Sequence, residues 1–315
     1  MRSKWISVSI FAGCAGVLAV FCAVALRRKS ATPGRLGQSR SWPAGFAHRG
    51  ASARVPENTL EAFREAVEVG ARALELDVHM SLDREIIVLH DASVDRTTDG
   101  SGPVNAMPLA ELKKLDAGYR FTPDGATHSY RGRGIRVPTL SEVFREFPEV
   151  VVNFEIKAQA TGIEEAVVRE IHKANAGDRT LVTAEKHGII RRFRKVSDSE
   201  IPTAASRFEL GVFYLLSQLR LEWMFRPAYA ALQIPVRHGM LKLATKRFLE
   251  AAHSRNVRVD VWTVDDPAEM RSLLDLGADG IMSNRPDLLS RVLDERRNEA
   301  QAKLTSPAEI TPNRV

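Results

Sequence analysis

A chain of 315 residues with 44% hydrophobic and 27% charged residues has enough apolar material for one large folded domain and is not composed like a disordered protein. Its formal net charge of +6 suits an anionic partner such as a phosphate ester or a lipid surface, while the lack of a zinc-finger spacing or an RNA-binding aromatic signature sets nucleic acid aside. The two cysteines, Cys14 and Cys22, both fall in the apolar N-terminal stretch, so the rest of the chain has neither a disulfide nor a thiolate metal site.

Residues 5–26 form a 22-residue run without a formal charge, preceded by Arg2 and Lys4 and followed by Arg27, Arg28 and Lys29. A helix of that length crosses the ~30 Å hydrocarbon core of a bilayer. A cleaved secretory signal ending at Ala23-Val24-Ala25 is the rival reading. The run is long for a signal and the basic cluster beyond the cut would hinder export, so an uncleaved single-span membrane anchor over 1–29 is favoured. Basic residues after the span outnumber those before it, which by the positive-inside rule places the following domain in the cytoplasm. Residues 30–44, rich in Ser, Pro, Gly and Arg, read as a linker, 45–295 as the folded domain, and 296–315 as a mobile charged tail.

From residue 45, short apolar runs alternate with amphipathic helical patterns. Strands are expected at 45–47, 73–78, 86–89, 150–156, 180–184, 201–205, 230–234, 257–264 and 280–282. Asn58 or Thr59 can cap a helix through about Val69, and further helices are expected at 163–174, 245–255 and 267–276, the last with Pro267 at its start and Gly277 just past its end. About eight repeated βα units in some 250 residues point to a parallel sheet closed into a TIM (β/α)8 barrel rather than an open doubly wound sheet, for which no GxGxxG or GxxxxGK[ST] opens a helix. The polar, Gly-rich stretch 92–137 reads as an insertion.

In such a barrel the chemistry projects from the C-terminal ends of the strands. Those ends carry His48-Arg49-Gly50, Glu75-Leu76-Asp77, His90-Asp91 and Glu155-Ile156-Lys157. Glu75 and Asp77 share one face of a strand, where they repel unless a cation or a proton comes between them; a pair simply answered by Arg or Lys is as common. With Glu155 they make three hard oxygen donors, a set suited to Mg2+ or Ca2+ rather than zinc. A lone His at a strand end is more often structural than catalytic, but His48 and His90 beside a carboxylate cluster can divide base and acid roles near neutral pH. Arg49 and Lys157 either neutralise the carboxylates or hold a phosphate.

These motifs, together with Pro56-Glu57-Asn58-Thr59, Arg96-Thr97-Thr98, the 137–143 segment VPTLSEV and Trp262-Thr263-Val264, resemble the signature of glycerophosphodiester phosphodiesterases over roughly residues 46–290. The resemblance implies a TIM barrel that cleaves glycerophosphodiesters to glycerol 3-phosphate and an alcohol with a divalent metal. By position, Glu75, Asp77 and Glu155 would bind the metal, His48 and His90 would be the acid/base pair, and Arg49 and Lys157 would contact the phosphate. It also implies attack of a substrate glycerol hydroxyl on phosphorus, a cyclic phosphate, and hydrolysis of that phosphate. Two positions depart from the family pattern: Asp265 stands where Asn is usual, and Ser283-Asn284 where Thr-Asp is usual, which puts substrate contacts in question more than catalysis.

Residues 207–225 are too apolar for an ordinary outer helix of a barrel. Either the helix is buried on the sheet or it is a lid or interfacial helix facing a bilayer. With an N-terminal span, the second choice resembles membrane-bound family members acting as lysophospholipase D on lysophospholipids. A sphingomyelinase D-like enzyme and a catalytically inactive lipid- or phosphate-binding barrel are weaker readings, since there are no secreted-type disulfides and all five metal and histidine positions are filled.

Overall fold

The computed structural model describes residues 42–157 and 160–305. The anchor over 1–29 and most of the linker lie outside the described residues, and no helix among those described is long and apolar enough to cross a membrane.

Strands β1 (Gly45–His48), β2 (Ala73–Met80), β4 (Val151–Ile156), β5 (Thr180–Thr183), β6 (Ala231–Pro235), β9 (Arg258–Trp262) and β10 (Gly280–Ser283) pair in parallel in the order β5-β4-β2-β1-β10-β9-β6. The remaining gap, between β5 and β6, is bridged by Thr203 and Ala204, which pair in parallel with Val182 and Ala231. The result is a TIM-barrel-like α/β fold whose ring of parallel links returns on itself. A full strand is expected at 201–205, but only two residues pair. Pro202 has no N–H to give to a ladder, and its carbonyl instead accepts from Val182. β3 (Ile86–Val88) folds back antiparallel on the upper end of β2, and β7 (Arg237–His238) and β8 (Leu241–Lys242) form a small hairpin beyond β6.

Helices α1 (Leu60–Glu68), α3 (Leu140–Glu146), α4 (Ile163–Lys173), α5 (His187–Val196), α6 (Arg207–Gln218), α7 (Lys246–His253), α8 (Pro267–Leu276) and α9 (Pro286–Thr305) surround the sheet, with a single turn α2 (Leu109–Leu112) in the insertion. Their starts follow capping chemistry. Thr59 accepts from the Ala62 N–H, Thr139–Glu142 and Ser206–Glu209 are reciprocal capping boxes, and Asp266 caps α8 ahead of Pro267. Gly277 ends α8 at φ +106°, a left-handed position that glycine takes without steric cost. α9 runs on to Thr305, so residues 296–305, expected in a mobile tail, are helical.

Two apolar layers lie between sheet and helices. One joins β2, β4 and β5 to α1, α3, α4 and α5; the other joins β6, β9 and β10 to α6–α9. The insertion is not merely polar loop, because Ile87, Leu89, Val94, Val104, Leu112 and Ile135 give it a small core of its own. Trp42 packs against a cluster of Phe46, Ala73 and Met282 and against another that includes Ala230 and Ala231, at the N-terminal ends of the strands.

One buried ion pair ties α5 to α6. Arg194 donates to Glu209 Oε1 and Oε2 at 2.6 and 3.1 Å, and Glu209 also accepts from the Ser206 N–H that it caps. Burial pushes the Glu209 carboxyl up, but Arg194 and the Ser206 N–H pull it below its ordinary 4.5. Glu209→Ala strands a buried guanidinium and costs about 3–5 kcal/mol of unfolding free energy in urea titrations. A depressed carboxyl contributes stability that is present above pH 4.5 and is lost as the pH falls through its folded value. The wild type therefore loses more stability on acidification than Glu209→Gln, and parallel acid profiles would contradict this account.

Candidate active site

β2 carries the centre of the site. All eight of its residues are buried, yet Glu75, Asp77 and His79 alternate along one face of it. Asp77 is 1% exposed; three side chains from separate segments answer its carboxylate, and a fourth group binds its backbone. The Lys157 ammonium lies 3.1 Å from Oδ1, the Arg49 Nε lies 3.3 Å from Oδ2, Asn58 Nδ2 donates to Oδ2 at 3.1 Å, and the Leu89 N–H donates to the Asp77 carbonyl. Lys157 also donates to Glu155 Oε2 at 2.6 Å. The two carboxylates hold the Lys157 ammonium charged above its ordinary range, against the burial that would lower it.

Glu75 is less well answered. Its Oε2 accepts from the Arg49 N–H at 3.2 Å and lies 3.8 Å from His48 Nε2. Burial raises its carboxyl well above the ordinary range, and Asp77 and Glu155 push the same way. Asn153, its register partner on β4, is fully buried with both side-chain polar atoms unpartnered. This corner has oxygen donors and a shortage of positive charge.

The turn after β1 brings His48 and Arg49 over these carboxylates. Arg49 at φ +55° and Gly50 at φ +84° are both left-handed. A Cβ on Gly50 would lie 2.7 Å from the backbone of Ala62 in α1, so glycine is required there for two reasons. Arg49 donates to Glu57 at 3.0 Å, and Glu57 in turn receives two bonds from Arg96, which also donates to Asp91.

Both expected imidazoles are held at Nδ1. His90 Nδ1 lies 2.6 Å from Asp91 Oδ1, and the Asp91 carboxyl, although partly desolvated, is pulled down to about 2 by Arg96 and His90. His48 Nδ1 lies 2.7 Å from Asn284 Oδ1. The Asn284 amide is itself oriented, because its Nδ2 donates to Asp265 Oδ2 at 2.8 Å and its N–H to Asp265 Oδ1. With the amide NH2 turned to Asp265, its oxygen faces His48, and Nδ1 must be the donor. His48 Nε2 is left with its lone pair on the Glu75 side. Burial lowers the His48 pKa, against the upward pull of the Asn284 bond.

All seven sequence-predicted residues thus gather at the C-terminal ends of β1, β2 and β4 and the segment after β3. Among the described residues no three His, Cys, Asp or Glu side chains already converge as a metal site, and Lys157 sits between Asp77 and Glu155. Asp265 and Asn284, two positions that depart from the family pattern, support His48. His79, whose Nε2 lies 3.1 Å from the His90 carbonyl, was overlooked although its alternation with Glu75 and Asp77 placed it on the same face. No sequence signal pointed to the Asn153 environment.

Residues 48–288 match the family model described as the glycerophosphoryl diester phosphodiesterase family. A glycerophosphodiester phosphodiesterase of Caldanaerobacter subterraneus subsp. tengcongensis is 34% identical over 251 residues, covering 78% of this chain and 95% of that protein. A rat protein named lysophospholipase D GDPD1 is 27% identical over 280 residues, covering 79% of this chain and 85% of its own. The crystal structure of a glycerophosphoryl diester phosphodiesterase domain from Mycobacterium tuberculosis superposes with a TM-score of 0.71 at 21% identity, over 79% of this chain and 98% of that one, a likeness of fold.

Two substitutions test this geometry. Gly50→Ala meets the α1 backbone at an unfavourable φ and lowers unfolding free energy by about 1–3 kcal/mol; an unchanged urea midpoint would sink the steric argument. Asn284→Ala removes the bond that supports His48, so the imidazole pKa, followed by NMR titration in EDTA, moves further down. An upward shift or none would refute the positioning role.

Proposed function

This chain belongs to the glycerophosphoryl diester phosphodiesterase family, and we propose from that membership that it hydrolyses glycerophosphodiesters to glycerol 3-phosphate and an alcohol by histidine acid/base chemistry with a divalent cation. The observation that carries this reading is the under-neutralised carboxylate corner at Glu75, flanked by an imidazole whose Nε2 is free to take a proton.

The residues present fit a hard divalent cation such as Mg2+ or Ca2+. Glu75, Asp77 and Glu155 offer only oxygen donors, and the raised Glu75 carboxyl marks a place where positive charge is lacking. These three side chains would hold the ion, which would supply charge neutralisation at the phosphoryl oxygens.

The chain's own residues account for the proton movements. His48 is kept in the neutral form by burial, with Nδ1–H committed to Asn284, so its Nε2 accepts the proton of the attacking glycerol hydroxyl. The new oxygen–phosphorus bond closes a cyclic phosphate as the bond to the departing alcohol breaks. His90, fixed through Nδ1 by Asp91, gives a proton to that alcohol. Water then opens the cyclic ester with the proton transfers reversed. Arg49 and Lys157 hold phosphate oxygens, the guanidinium as a fork of donors and the ammonium as a point charge.

A second reading, lysophospholipase D activity on membrane lysophospholipids, is favoured by exposed apolar side chains beyond the C-terminal ends of the strands, among them Trp262 at the end of β9 and Met240 in the hairpin after β6. The N-terminal run 5–26 would keep the enzyme at a membrane, with the catalytic domain on its cytoplasmic side.

Choline release from glycerophosphocholine and from lysophosphatidylcholine tests both. Activity is expected to vanish in EDTA and to return with Mg2+ or Ca2+. Glu75→Ala, Asp77→Ala and Glu155→Ala should raise the metal concentration needed, and His48→Ala and His90→Ala should each lower kcat by about 100- to 10,000-fold. Full turnover in EDTA, or a fully active His48→Ala, would overturn the mechanism. The better substrate decides between the two readings.

A further inference from the structure

We propose that one flank of the barrel, formed by α6, the β7–β8 hairpin and the end of β9, is a lipid-contacting surface that lies against an anionic bilayer. This goes beyond the proposed hydrolysis and concerns how the domain is oriented.

Nine large apolar side chains are exposed among the described residues, and eight of them fall between Phe208 and Trp262. α6 and its C-cap residue account for three. Phe208, Leu215 and Leu219 are 63%, 52% and 59% exposed and recur at the spacing of one helix face. The inner face is already satisfied by Phe213, Ser217 and the Glu209–Arg194 pair. The apolar outer face is therefore in addition to a face already packed inward, and packing on the sheet does not require it. Trp223 and Met224 extend the exposed stripe below the helix.

At the upper end, Met240 is 99% exposed at the tip of the hairpin, followed by Leu241. The hairpin springs from β6, whose last residue, Pro235, pairs with the half-exposed Trp262 of β9. α6 itself links the Thr203–Ala204 bridge to β6, so these groups occupy adjacent sectors of the ring. The stripe runs from the bottom of the barrel up to the mouth that carries the site.

Charge selects the occupant. Residues 210–249 contain six Lys and Arg against a single acidic residue, Glu222, and that one is held by Arg247 at 2.7 Å. Basic groups bordering an apolar stripe complement anionic headgroups. A symmetric pairing of two copies would set this basic surface against itself. The chain enters at the foot of the ring, the end from which this stripe rises. Trp42 packs against Ala230 and Ala231 at the foot of β6, and residues 27–41 join it to the uncharged run 5–26.

The test uses the full chain with Cys14→Ser and Cys22→Ser and one added cysteine, Leu219→Cys, Met240→Cys or Glu68→Cys. The last is on α1, across the ring. Each carries an environment-sensitive fluorophore and is reconstituted into phosphatidylcholine vesicles with or without phosphatidylglycerol, with doxyl-labelled phospholipid as quencher. Labels at 219 and 240 should be quenched several-fold more than the label at 68. Their quenching should be stronger with phosphatidylglycerol and should fall in Arg237→Glu/Lys242→Glu. Equal quenching at all three positions, or none at 219 and 240, overturns the proposal. So does a label at 219 shielded from lipid in a concentration-dependent way, which would mean a second copy covers it, or at every dilution, which would mean residues 5–26 do. Hydrolysis of water-soluble glycerophosphocholine in the same samples reports separately on the proposed chemistry, so either reading can fail alone.

Discussion

A parallel strand buried on both faces is ordinarily a run of Val, Ile and Leu, because nothing in the interior repays the cost of removing a charge from water. β2 departs from this at every second residue, and much of the molecule is arranged around that departure. Asp77 requires cations, and they come from the turn after β1 and the end of β4, with an amide from the loop before α1. Those three contributions only meet if β1 and β4 flank β2, as the ring order places them. The left-handed backbone at Arg49 and Gly50 follows from the same demand, since it turns the guanidinium back toward β2. Glu75 is the residue that the protein's own cations leave short.

The link from β9 and β10 to β1 works differently. It runs through neutral and acidic groups, Asp265 to Asn284 to His48, and acts on proton position rather than on charge. An amide oxygen, unlike a carboxylate, accepts from Nδ1–H without strongly favouring the imidazolium. Together with burial this favours the neutral imidazole, with the lone pair on Nε2. His90 has a carboxylate in the equivalent place, so the two imidazoles have unlike supports. Unlike supports are what a base and an acid working in sequence require.

The apolar flank belongs to the opposite side of the ring from the insertion between β3 and α3, which has its own small core and displays arginines stacked on Tyr119 and Tyr130. The two decorations rise from the ring on either side of the mouth. The barrel beneath them is held by ordinary apolar layers and capped helices, so the surfaces around the mouth are free to differ without cost to the fold.

Much of this was legible from residue order. Strand positions, the Thr59 cap, the Pro267–Gly277 helix and the carboxylate pair at 75 and 77 all depend on local chemistry and on the period of the chain, and those are properties of a linear sequence. Tertiary structure decided what depends on distance through space. Pro202 limits the stave at 201–205 only in the closed ring, where that segment has a strand on either side to pair with and Pro202 has no N–H to give. Lys157 and Arg49 became partners of Asp77 because β1 and β4 flank β2, and Asp265 and Asn284 became the support of His48 because closing the ring brings residues more than 200 positions apart within a hydrogen bond. The outer face of α6 was readable as apolar, but its exposure was not, since composition does not distinguish a helix buried on two sides from one with a bare face. Sequence determined which groups could do the chemistry; ring closure determined which group holds which, because partnership between charges is a matter of separation and desolvation, neither of which is written in residue order.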